Sequence, residues 1–220
     1  MNPEKFEDCK EISDYDEFME ASTSVSLEEY KEFMSNIFEV VPEREEKDPV
    51  KLYEKTIEEL RSRWVASEKI PVHGPWHHGL VGGILVTSLK NNGYSFSEED
   101  IEEALERGLM IPGGACGFHG SCGAASGLGI AVSIATRGTP FHDEKRTKAL
   151  TANSKAYKRI AELGGPRCCT LSTYTTLDLA EEILKEIGYS IPLSDVEGRC
   201  KVYRENDECH GIKCPYFPDK

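Results

Sequence analysis

Residues 113–139 read GGACGFHGSCGAASGLGIAVSIATRGT, and the rest of the chain is organised around them. The segment opens on a glycine-rich turn carrying Cys116, passes His119 and reaches Cys122 as a run of small and apolar residues begins. That run, from Cys122 to about Thr136, predicts a buried helix. Gly123, Gly127 and Ala131 recur along one face, with Ala124, Leu128 and Val132 beside them. Glycine costs an exposed helix about 1 kcal/mol relative to alanine, so glycines at this spacing belong where another backbone approaches closely. A thiol at the first turn of such a helix lies among unpaired N–H groups at the positive end of the dipole, which favours thiolate.

Working outward, the hydrophobic spacing is helical almost everywhere. Leu27, Tyr30, Met34, Ile37 and Phe38 predict a first amphipathic helix. Asp48-Pro49 supplies an N-cap and first-turn pair for a second, with Tyr53, Ile57, Leu60 and Trp64 as its stripe to about Ser67. Pro71 to His78 reads as an irregular link holding His73, His77 and His78, three of the chain's six histidines, with a helix from Gly79 to Lys90 after it. Ser97 caps an acidic-fronted helix. Beyond the glycine-cysteine segment, Lys145 to Glu162 forms another, stopped by Gly164-Gly165-Pro166, and Arg167-Cys168-Cys169 opens the next. Strand signals are weak throughout. The expected fold is mainly α: a single helical domain with glycine- and cysteine-rich loops and an irregular cysteine-rich tail. Its expected parts are an acidic arm over 1–24, N-terminal helices over 25–70, a core domain over 71–190, and a tail over 191–220 packed on the core.

Composition narrows the function classes. A formal charge of −13, with no compensating basic block, argues against nucleic acid or an anionic membrane as partner. The first residues, MNPEKFEDCKE, have no apolar core of the secretory kind, and the run at 122–136 is too short and glycine-rich to span a bilayer. A cytoplasmic protein is expected. Seven of the eight cysteines (Cys116, Cys122, Cys168, Cys169, Cys200, Cys209 and Cys214) lie in the second half, and clustered thiols in a reducing compartment bind metal or do chemistry.

The two glycine-led segments GGACGFHGSCG and GGPRCCT each place thiols at a predicted helix start. Glycines allow close backbone approach, and free N–H groups hydrogen-bond to sulfur, as an iron–sulfur cluster requires. Cys116, Cys122, Cys168 and Cys169 are the candidate ligands of a [4Fe–4S] cluster. Arg167 beside the cysteine pair lowers thiol pKa and offers a charge partner for substrate or cluster. Seven thiols exceed the four that one cluster needs, so a second metal site, zinc or a second cluster, is expected from Cys200, Cys209 and Cys214. An aromatic knot of Tyr203, Tyr216 and Phe217 is the metal-free way to fasten the same tail. His77 and His78, on a loop stiffened by two prolines, are candidate proton donors or acceptors.

HGPWHH at 73–78, GACGFHGSCGAASGLGIAVSIATRGTP at 114–140, GGPRCC at 164–169 and C-x8-C-x4-CPYF from Cys200 resemble a cysteine-rich prokaryotic family, domain of unknown function 5714. The resemblance covers about Pro71 to Phe217 and implies an archaeal or bacterial protein, mostly of anaerobes. Some family members look like fusions to a methyltransferase domain, which implies a protein partner, or a methyltransferase-like one. Many carry an N-terminal zinc-ribbon-like CxxC region, where this chain has its acidic arm and two helices. More loosely, the glycine-cysteine loop is similar to the cluster loops of iron–sulfur lyases of the serine dehydratase and cysteine desulfidase kind. There, three cysteines hold a [4Fe–4S] cluster whose open iron binds substrate. The resulting expectation is a non-redox enzyme performing sulfur removal or transfer, or lyase chemistry, on a small or sulfur-containing substrate. The alternative is a metal-stabilised binding module or an electron carrier.

Overall fold

A computed structural model describes residues 27–64 and 72–218. The acidic arm at 1–24, the join near Pro71 and the expected end of the second helix at Ser67 lie outside the described residues. Among those described there are eight α-helices and no strand. They are α1 (Leu27–Val40), α2 (Pro49–Arg63), α3 (Trp76–Asn91), α4 (Glu98–Leu109), α5 (Ala115–Phe118), α6 (Gly123–Ala135), α7 (Asp143–Leu163) and α8 (Cys169–Glu186). A single 3-10 turn, Gly211–Lys213, marks the tail. The mainly α architecture is as expected.

Local chemistry starts these helices. The Asp48 side chain accepts from the Val50 and Lys51 N–H groups, with Pro49 supplying its fixed φ at the first position of α2. Ser97 and Asp100 form a reciprocal capping box at α4. The Cys168 sulfur occupies the equivalent position at α8, accepting from Leu171 N at 3.4 Å.

α3 is the central element. Leu80, Ile84, Leu85 and Leu89 are fully buried, and burying each such side chain contributes roughly 1.5–3 kcal/mol. α4 and α6 pack on α3, α7 packs on α6, and α8 closes the group, while α1 and α2 cover the remaining side. Glycine sets the closeness of the α3–α6 contact. A methyl group on Gly127 would lie 2.7 Å from Val81 Cβ and 2.9 Å from the Gly82 nitrogen. The small-residue face read from the sequence is therefore the face on which two backbones meet.

One boundary differs from the sequence reading. α3 begins at Trp76, so His77 and His78 stand in its first turn instead of on the preceding loop. Both are buried, and the Trp76 and His77 rings lie 3.7 Å apart between centroids. Apolar burial of this turn extends the helix past the glycine that the sequence offered as its start.

Candidate functional site: two thiol-lined cavities

The Cys116 loop is shaped by left-handed residues at Gly114 (φ 72°) and Gly120 (φ 67°), between which α5 makes one turn. Cys122 stands at the N-cap position of α6 without a side-chain cap bond, and Cys168 caps α8 through its sulfur, so two thiols sit where helices begin. The ends of these elements surround a cavity of about 430 Å³, bordered by His77, His78, Cys116, Cys122, Arg167, Cys168 and Cys169. No Asp or Glu borders it, in a chain whose net charge is −13.

A second, much smaller cavity of about 20 Å³ lies on the other side of the cysteine pair. Cys168, Cys200, Cys209 and Cys214 border it, with Asn206 and His210. The adjacent cysteines thus divide their allegiance: Cys169 borders only the large cavity, and Cys168 borders both. None of these seven thiols is in a disulfide. Among the described residues, no three His, Cys, Asp or Glu side chains come close enough to hold one metal ion. All seven thiols border one or both of these cavities.

Hydrogen bonds fix the histidine tautomers. His78 donates Nδ1–H to the Ile111 carbonyl at 2.8 Å, which leaves Nε2 as the basic atom. His77 donates Nε2–H to the Val72 carbonyl at 3.1 Å, and its buried Nδ1 has no hydrogen-bond partner. Burial holds both rings below the ordinary imidazole pKa, His77 well below. His73 has a different part. It donates Nε2–H to Asn206 Oδ1 at 3.0 Å and accepts from Cys169 N at 3.4 Å, joining the α3 loop, the α8 start and the tail. Burial pushes its pKa down to about 4.

Sulfur receives several N–H donors. Leu171 N reaches Cys168, Asn206 Nδ2 reaches the same sulfur at 3.7 Å, and Gly211 N reaches Cys209 at 3.4 Å. Such donors stabilise thiolates and cluster sulfurs. The thiols themselves depart from the expectation drawn from helix ends and Arg167. Burial pushes Cys168 up to about 12 and Cys169 up to about 11, and it also raises Cys116 and Cys200. The Leu171 N–H and the Arg167 charge pull in the lowering direction on Cys168 and Cys169 respectively, but desolvation is the larger effect.

Arg167 makes no hydrogen bond or ion pair among the described residues, and its buried Nε is unpartnered. Sequence reasoning missed Asn206, whose amide links His73, Glu208 N and Cys168, because REND in a polar loop carries no distinguishing pattern. It also missed Tyr157, whose hydroxyl donates to the Cys122 carbonyl at 3.3 Å and pairs with Ser126 at 2.8 Å. The tail's aromatic knot is present: Tyr203 and Phe217 meet edge to face, and Tyr216 donates to Thr175 Oγ1 at 2.9 Å. His210, beside Cys209, donates to the Pro166 carbonyl at 2.8 Å and packs on Gly165 (φ 77°), where any Cβ would strike its ring.

Fold and cavities together define an all-helical protein with a cysteine-lined interior. The chain belongs to the family described as "Family of unknown function (DUF5714)", whose match runs over residues 37–217. Among curated proteins and among solved structures, nothing matches it. No helix of the described residues is long and apolar enough to cross a membrane.

Proposed function

We propose that this is a cytoplasmic, oxygen-sensitive iron–sulfur protein that carries a [4Fe–4S] cluster in its larger cavity and works as a non-redox enzyme. Cys116, Cys122 and Cys169 would hold the cluster, with Cys168 at its edge. Three thiols leave one iron open, and an open iron supplies Lewis-acid activation of a bound group. The observation that carries this reading is the lining of the cavity: thiols, two histidines and an arginine, with no carboxylate. A cluster spreads its ligands over several irons, so thiols around a cavity suit it better than they suit one ion.

The chain's own groups then divide the work. Arg167 offsets the negative charge of substrate or cluster. His78, with its Nδ1–H held by Ile111 O, presents Nε2 for a proton. His77 is neutral and fixed, and its unpartnered Nδ1 accepts from a ligand. The reactions that fit are sulfur removal or transfer, or lyase chemistry, on a small polar or sulfur-containing substrate. The smaller cavity suits a second metal site on Cys168, Cys200, Cys209 and Cys214, zinc or a second cluster, whose sulfurs would draw inward on binding.

Metal and sulfide analysis of oxygen-free protein, with visible and paramagnetic spectra, tests the reading. Iron and sulfide in equal amount are expected, with spectral change when a small thiol binds the open iron. Cys116→Ser with Cys122→Ser should remove that response. Colourless protein holding only zinc would sink the proposal. The exposed Met110, Phe118 and Ile212 favour a second reading, a metal-stabilised binding module or electron carrier. That reading predicts a cluster ligated at every iron and indifferent to thiols.

A further inference from the structure

Two residues bordering the larger cavity each carry a buried nitrogen that has no hydrogen-bond partner. One is a donor: Arg167, whose Nε is buried and whose guanidinium has neither a hydrogen bond nor an ion pair among the described residues. The other is an acceptor: Nδ1 of His77, a side chain 1% exposed, with its opposite nitrogen committed to Val72 O. Leaving a buried donor or acceptor unsatisfied costs about 1–3 kcal/mol each, so two bordering one cavity point to a ligand that answers both. Arginine without a carboxylate partner, in a strongly acidic chain, is matched by an anion. A neutral imidazole nitrogen is matched by an N–H or O–H donor.

We infer that the substrate is a small carboxylate bearing an adjacent hydrogen-bond donor, of which an α-amino acid is the simplest form: its carboxylate on Arg167 and its amino group on His77. The inference rests on the reading of this cavity as the reactive site and adds the class of molecule that enters it. The surrounding chemistry agrees. Ser172 also borders the cavity, Ala124, Ile160 and Leu171 give apolar walls for a short side chain, and a volume of about 430 Å³ holds a small ligand beside a metal group. A hard, oxygen-seeking cation finds no carboxylate here, and a polyanion finds a single arginine.

Three probes separate the parts. L-Cysteine carries the carboxylate and the amine, cysteamine lacks the carboxylate, and 3-mercaptopropionate lacks the amine, while all three offer the same thiol. Equilibrium dialysis of the full-length protein, purified without oxygen, should show L-cysteine binding about tenfold or more tightly than either truncated probe. Arg167→Gln should erase the preference over cysteamine and keep the preference over 3-mercaptopropionate. His77→Asn should do the reverse. If His77→Asn does not fold, the wild-type probe series and Arg167→Gln still decide. Equal binding of the three probes, no binding of any, or unchanged selectivity in Arg167→Gln overturns the inference. Protein that lacks iron yet discriminates the probes keeps this inference and removes the cluster; a cluster without discrimination does the opposite.

Discussion

Gly123 and Gly117 lie six residues apart in sequence, yet they answer to different constraints. A Cβ on Gly123 would sit 2.1 Å from His78 Cγ, whereas one on Gly117 meets nothing within 4 Å. Gly123→Ala should therefore destabilise the protein by about 1–3 kcal/mol through overpacking and push His78 off the Ile111 carbonyl. Gly117→Ala should be close to neutral. Denaturant unfolding of the two variants checks this, and equal effects would mean that the His78 contact does not constrain residue 123. The same scale shows where charge reasoning from sequence falls short. Arg167 next to Cys168 and Cys169 suggests acidic thiols, but both sulfurs are removed from water, and that cost outweighs one neighbouring cation. Neighbours are written in the sequence; burial is not.

At the scale of elements, helix starts carry both stability and chemistry. Asp100 closes the α4 capping box and also binds Arg137 from beyond α6, which is held at φ 54°. Removing both roles with Asp100→Ala should cost about 1–3 kcal/mol, measured by chemical denaturation. The Arg137 guanidinium holds the Asp100 carboxyl below the usual carboxylate range. Its contribution is thus complete above about pH 4, the unfolded carboxylate value, and is lost as pH falls through the lower folded value. An acid titration should accordingly show less stability lost below pH 4 in Asp100→Ala than in the natural chain. The capping box at Ser97 and the Asp48 cap could be read in advance because both depend on residues within one turn. The true start of α3 could not. His77 and His78 became helical through contacts with Gly123, Ile111 and Val72, which are distant in sequence or masked by two prolines.

For the whole molecule, the tail is tied to the helices by several unlike contacts. Arg199 binds the Glu54 carboxylate through both oxygens, Arg61 pairs with Glu205, and Tyr216 packs 5.4 Å from Tyr174. Most of the apolar core lies within the helices, and the tail adds Val196, Cys214 and Tyr216 at its edge. Removing the proposed tail metal with a chelator under reducing conditions should therefore leave far-ultraviolet helicity nearly unchanged. It should lower the thermal midpoint and expose the tail to limited proteolysis, because bound metal at a hundred times its Kd adds about 2.7 kcal/mol. Loss of helicity in step with tail cleavage would show that tail and helices are one cooperative unit.

The amino-acid sequence by itself determined the helical class, most helix limits and the small-residue face of α6, because these depend on periodicity, caps and glycine within a few residues. It also marked the thiols and histidines as the unusual chemistry of the chain. Only the tertiary structure decided how those residues are shared out. Cys169 came to border one cavity with Cys116 and Cys122 while Cys168 borders that cavity and the tail's, His73 became a clip between segments, and Nδ1 of His77 and Nε of Arg167 were left without a partner among the described residues. Each of these outcomes depends on which residues far apart in the chain exclude water from one another, and that is a property of packing which no local pattern encodes.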